Sequence, residues 1–121
     1  MIVLDTTTRK LQAVLGGAVA ANQPQATVVY YEKTPKQVDT TKMFTKATNL
    51  NSTTDVDILA APGEINNIRY IKNLTVYNLD TASVSVIIKM DDGGTETILV
   101  RQTLLTLESL HYEDGAGWQV L

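Results

Sequence analysis

The stretch from Ser83 to Leu104 constrains the fold of this chain more than any other. Val84, Val86, Ile88 and Met90 alternate with Ser83, Ser85 and Lys89. A period of two sends alternate side chains to opposite faces of a β-strand, so this segment has one apolar and one polar face. Asp91-Asp92-Gly93-Gly94 follows directly. Glycine and aspartate tolerate the positive φ of a tight β-turn, so a hairpin is predicted with Thr95–Leu104 as its return strand. In that return strand Ile98 and Val100 are expected to face inward, and Thr97 and Arg101 outward.

The same reading extends along most of the chain. Ala26-Thr27-Val28-Val29-Tyr30-Tyr31 is β-branched and aromatic and reads as a strand. Tyr30 and Tyr31 are neighbours, so one points in and one out. Residues 38–48 are a weaker, polar strand or a long loop, with Met43-Phe44 as their bulky apolar pair. Val56–Ala60 is a short strand closed by Ala61-Pro62-Gly63, and Ile68–Asn78 is the next, with Leu74 and Val76 on one face. Leu107–Tyr112 and Gly117–Leu121 form a last hairpin around Asp114-Gly115-Ala116-Gly117. Residues 11–20 carry apolar groups at helical spacing, but Gly16-Gly17 interrupts them, and glycine costs a helix about 1 kcal/mol per residue. An extended arm or first strand is the preferred reading. About eight short strands with turns between them predict an all-β fold, a sandwich or a barrel. The expected division is an N-terminal arm over 1–23 and a β-sandwich domain over 24–121.

A chain of 121 residues suits one domain and can bury a core. The net charge of −3 comes with scattered lysines and arginines, and nucleic-acid binders concentrate theirs, so no nucleic-acid partner is expected. The absence of cysteine removes disulfides, thiolate metal sites and a cysteine nucleophile. A secretory leader places positive charge before an apolar run, whereas here Arg9 and Lys10 follow three threonines, so no leader is expected. No apolar run approaches the roughly 20 residues of a membrane helix, and no membrane partner is expected.

Few residues offer chemistry. His111 is the one histidine, and no Gly-x-Ser-x-Gly elbow accompanies it. It is expected to be a surface or interface residue, and no catalytic residue is assigned. Asp55 and Asp57 share a face, and Asp91, Asp92 and Asp114 lie in turns, but the offsets of a calcium loop are missing. No metal and no cofactor are expected. Trp118 is expected to plug the core beneath the last strand, with an interface anchor as the alternative.

Taken in order, several short signatures carry a resemblance. They are Met1-Ile2-Val3-Leu4-Asp5-Thr6-Thr7, then Ala60-Ala61-Pro62, then Tyr77-Asn78-Leu79-Asp80-Thr81, then Ile98-Leu99-Val100. The last runs from Leu110-His111-Tyr112-Glu113-Asp114 through Gly115-Ala116-Gly117-Trp118-Gln119-Val120. The series resembles small structural proteins of tailed-phage virions, of the capsid decoration or cement type. It covers nearly the whole chain, most strongly residues 1–23 and 56–121. The resemblance implies a jelly-roll-like sandwich on the outer surface of the capsid, present in the host cytoplasm before assembly. It implies the major capsid protein as partner and self-association, a homotrimer before a dimer. The expected contacts are the arm residues Ile2, Leu4 and Leu11, able to add a strand to a neighbour's sheet, together with Met43 and Phe44. A tail, neck or fibre component is the alternative within the same class. A carbohydrate-binding module, stacking sugars on Tyr30, Tyr31 and Trp118, is the alternative outside it.

Overall fold

The computed structural model describes residues 1–36 and 42–121. Ten strands form two antiparallel sheets, and no residue among those described is helical. The strands are β1 (Ile2–Leu4), β2 (Arg9–Leu15), β3 (Gln25–Lys33), β4 (Met43–Asn49) and β5 (Val56–Leu59), then β6 (Ile68–Tyr77), β7 (Val84–Asp92), β8 (Thr95–Leu104), β9 (Ser109–Glu113) and β10 (Gly117–Val120). One sheet runs β10-β9-β6-β3-β4, with β1 also on β6; the other runs β5-β2-β7-β8. This is the all-β sandwich expected. The part of the 38–48 segment that falls on residues 38–41 lies outside the described residues, and residues 43–48 belong to the strand β4.

Each sheet contributes one apolar face to the core. Leu11, Ala13, Leu15, Val86 and Ile88 enter from one sheet, and Ala26, Val28, Leu74, Val76 and Leu110 from the other, all at most 2% exposed. The predicted turn is present with two central residues: Gly93 and Gly94 have φ of +61° and +99°. That double positive φ twists the β7–β8 hairpin with the sheet. The Asp91 carboxylate accepts a hydrogen bond from the Gly94 amide at 2.7 Å, closing the turn from its side chain.

Three bulges break the simple alternation. In β8, Val100 pairs with Ile88 and Ile98 with Lys89, so Leu99 is an extra residue. A bulge reverses the facing of everything beyond it. Val100 and Leu99 therefore pack against the core, while Ile98, expected inward, is 54% exposed. The bulge at Lys72 lets both Ile71 and Leu74 face inward, and the bulge at Ile58 does the same for Ile58 and Leu59.

The arm expectation needs correction. β1 pairs with β6, and β2 lies inside the second sheet between β5 and β7. Ile2, Leu4 and Leu11 are 6%, 0% and 0% exposed. They are core residues, because the operative period in this segment is two. Ile2 and Leu4 share one face, and Leu11, Ala13 and Leu15 share another. The Tyr112 hydroxyl accepts from the Ile2 amide at 3.1 Å and ties the first strand down.

Strand direction sorts the loops into two ends. Loops 5–8, 60–67, 93–94 and 114–116 lie at one end, together with residues 34–36, Lys42, Arg9, Asp91 and Asp92. Loops 16–24, 50–55, 78–83 and 105–108 lie at the other, beside Leu121. The first is the charged end. The second contains no lysine or arginine, and its three carboxylates are Asp55, Asp80 and Glu108. It is the leucine end, for the residues it exposes.

Candidate interaction surface

β4 is an edge strand, hydrogen-bonded to β3 and to no other described strand. Six of its seven residues are exposed. Its outer edge presents unpaired backbone amides and carbonyls, which can accept a further strand. Lys46 sits opposite Val28 on the side facing the core, and a charge placed there discourages indiscriminate edge pairing.

Met43 and Phe44, expected to act as a pair, lie on opposite faces of β4. Phe44 pairs with Tyr30, and their rings stack with centroids 5.6 Å apart. The Arg69 guanidinium lies 5.4 Å from the other side of Tyr30, and Lys42 lies 5.4 Å from the Phe44 ring. Each cation faces the negative face of a ring, giving a ladder Arg69–Tyr30–Phe44–Lys42. Glu32 and the Ala60 carbonyl hold Arg69 in place, at 3.1 and 2.9 Å. Met43 stands on the outer face beside Tyr31, which pairs with Tyr70. The Tyr31 and Tyr70 rings stack at 5.0 Å and 22°. Phe44 at 39% and Met43 at 56% exposure leave both faces of the strand open to a partner. A cleft of about 370 Å³ lies at the same end, lined by Thr34, Pro35, Lys36, Glu64, Ile65 and Asn67.

Tyr31 and Tyr70 bear on sugar binding. A sugar stacks on a free aromatic face. Here each tyrosine spends one face on the other. Trp118, on edge strand β10, sits 4.9 Å from Tyr112 at a 47° tilt and packs against the core. Its position agrees with the core reading, and the ring is half-buried.

His111 lies on the outer face of the first sheet. Its Nε2 is 3.0 Å from Ser109 Oγ, and its Nδ1 is 3.4 Å from Thr75 Oγ1. A serine is thus present, but the second nitrogen meets a threonine where an acyl-transfer triad places a carboxylate. Asp55 and Asp57 do share the outer face of the second sheet. Asp55 and Glu96 each lie 2.9 Å from Lys89 Nζ, and Asp57 takes the Gln12 amide at 2.7 Å. The hydrogen bond from Glu96 first, and then that from Asp55, hold the Lys89 ammonium above its ordinary pKa despite burial. Among the described residues no group of three acidic or histidine side chains is placed to hold a metal ion.

The leucine end is organised around two buried side chains. Asn78 is fully buried, and its amide donates to the carbonyls of Ala82, Leu104 and Leu105 at 3.0–3.1 Å. Its side-chain oxygen accepts from the Asp80 amide at 3.0 Å. The Asp80 carboxylate accepts from the amides of Ala20, Ala21, Asn22 and Thr81 at 2.8–3.2 Å. These backbone donors, Ala20 foremost, outweigh desolvation and hold its pKa at about 2, below the ordinary 3.8.

Around this frame Leu79, Leu105, Leu107 and Leu121 are 40–64% exposed, and Tyr77 is 37% exposed. Leu105–Glu108 forms a turn closed by the Glu108 amide on the Leu105 carbonyl at 3.0 Å. Leu107, its third residue, has a φ of +67°. That position of such a turn favours glycine. A bulky side chain there costs about 1–2 kcal/mol. The sequence reading started a strand at Leu107 and so missed this feature. The signal was the run Leu104-Leu105-Thr106-Leu107, where two adjacent leucines break strict alternation.

Comparison with protein-family models, curated proteins and solved structures finds no match.

Proposed function

We propose that this chain is a non-enzymatic structural protein of a tailed-phage virion. It decorates the capsid and stabilises it by binding between major capsid protein subunits. The same reading takes the sandwich as jelly-roll-like, its copies as a homotrimer or dimer, and its place as the outer capsid surface after passage through the host cytoplasm. The ordered signatures from Met1 to Val120 support it at the level of sequence. The observation that carries it at the level of geometry is the β4 edge, an open strand with Met43 on one face and Phe44 on the other. A cement protein gains affinity from many modest contacts repeated over a shell. An edge strand with apolar groups on both faces supplies backbone hydrogen bonds and two side-chain anchors at once.

Co-sedimentation with purified expanded capsids tests the proposal. The wild-type protein is expected to pellet in many copies spread over the shell. The double variant Met43→Ser/Phe44→Ser is expected to bind roughly tenfold or more weakly. Failure to pellet with capsids overturns the reading. Binding at a single vertex transfers it to a tail, neck or fibre component.

A further inference from the structure

We infer that the strand added to β4 is an acidic one: an extended segment of a partner protein in which two carboxylates flank an apolar residue at alternate positions. The inference deepens the reading of β4 as the contact edge and rests on it. Charge carries the argument. The ion pairs among the described residues use Arg9, Lys10, Arg69 and Lys89. Of the other basic residues, Lys33, Lys36, Lys42 and Lys46 all lie on β4, at the end of β3 or between the two strands, and all are exposed. β4 itself contains no carboxylate, and Glu32 on β3 is already engaged by Arg69 at 3.1 Å. Glu64 shares the cleft with Lys36, which leaves Lys42 and Lys46 as the cations of the edge. A chain of net charge −3 thus concentrates positive charge along one open strand.

The spacing of these side chains fixes the pattern of the occupant. Lys42, Phe44 and Lys46 alternate along the chain and share the row that faces the core side, with Lys42 over the Phe44 ring. An added strand sets its own alternate side chains beside that row. Its apolar residue then meets Phe44, and the carboxylates two positions to either side meet Lys42 and Lys46. The residues between them lie beside Met43 and Thr45 on the outer face. The other strands that end the two sheets are β10, β5 and β8. β10 carries no charge, β5 carries Asp57, and β8 mixes Glu96 with Arg101. An acidic strand therefore selects β4 among these edges by charge. The β4 of a second copy brings lysines and no carboxylate, so it does not complete the row.

NMR titration of the isotope-labelled full chain is the experiment. The probes are the peptide Thr-Glu-Thr-Val-Thr-Glu-Thr, the same peptide with lysine in place of glutamate, and a thymidine oligonucleotide. The acidic peptide is expected to shift the amides of Met43–Asn49 and to bind roughly tenfold or more tightly than the basic one at low ionic strength. Added salt is expected to narrow that preference. Lys46→Glu, at an exposed position and so expected to fold, should reverse it, and Lys42→Gln/Lys46→Gln should abolish it. Equal binding of the two peptides, shifts confined to other strands, or a Lys46→Glu chain that still prefers the acidic peptide overturns the inference. So does an acidic peptide that shifts nothing, or an oligonucleotide that takes β4 in its place. The titration contains no capsids. A chain that takes the acidic peptide at β4 and does not pellet with capsids loses the capsid reading alone, and one that pellets without the acidic preference loses this inference alone.

Discussion

At the charged end, Asp92 accepts hydrogen bonds from Thr8, Thr6 and Arg9, Asp5 meets Arg9 at 2.6 Å, and Lys42 and Arg69 cap a pair of rings. At the leucine end, Asn78 and Asp80 turn their polar capacity inward, onto backbone, and four leucines face water beside the exposed polar residues of the same loops. The two ends solve one problem, the satisfaction of loop backbone and loop charge, in opposite ways. Side-chain ion pairs in water are individually weak and can exchange for a partner's groups. A buried asparagine and a carboxylate in a ring of amides cannot be exchanged without loss, so they fix the loops that carry the exposed leucines. The difference teaches that exposure of leucine here is not loose packing. It is the outward side of loops bonded to one another through Asn78 and Asp80.

Asn78→Ala should break the comparison most severely. It strands three carbonyls and the Asp80 amide, and should lower stability by about 3 kcal/mol or more, measured by urea denaturation. Trp118→Ala, toward the charged end, should cost about 2–3 kcal/mol in the same assay, since the half-buried ring still packs on Tyr112 and the core. An unchanged melt would remove Trp118 from the core.

Both ends should be sensitive to acid, since hydrogen bonds from Thr8 and Arg9 also hold Asp92 below its ordinary pKa, but Asp80 is the carboxylate of the leucine end. Asp80 titrates at about 2 in the folded chain against an ordinary 3.8. Its carboxylate therefore contributes in full above 3.8, and the contribution is lost as pH falls from 3.8 to about 2. Asp80→Asn should flatten that part of a stability–pH curve; a variant that keeps the wild-type slope would assign it elsewhere. Smaller effects come last. Phe44→Ala should cost less than about 1 kcal/mol, because the ring is already partly in water. Leu107→Gly should leave the protomer as stable or raise it by up to about 1 kcal/mol, because the relieved strain offsets the greater freedom of unfolded glycine. A clear loss of stability would show that the turn needs leucine for folding.

Much of this contrast was legible in the sequence, and its limits are physical. The alternation of Val84 to Met90 and the glycine turn after it are local, and local rules determine them. Ile98 was misplaced because a bulge at Leu99 depends on what packs beneath the strand, which no short window contains. The N-terminal residues were read as an arm because Gly16-Gly17 suggested interruption. Their burial depends on β6 and β7, strands more than 60 residues away. Met43 and Phe44 were visible as odd apolar residues in a polar stretch, but their separation onto two faces follows from pairing with Tyr31 and Tyr30. Arg69 and Tyr70 were not singled out, since nothing in their own segment shows that β3 will bring rings alongside. Asn78 and Asp80 looked like ordinary turn residues; only the closure of three loops around them, 16–24, 78–83 and 105–108, reveals what they hold.

Hydrogen exchange of the protein, free and mixed with purified expanded capsids, compares the two ends in one experiment. The account predicts that amides of Met43–Asn49 gain protection only with capsids, while those of the 105–108 turn are unaffected by their addition. No gain at Met43–Asn49, or a gain confined to the 105–108 turn, would contradict it.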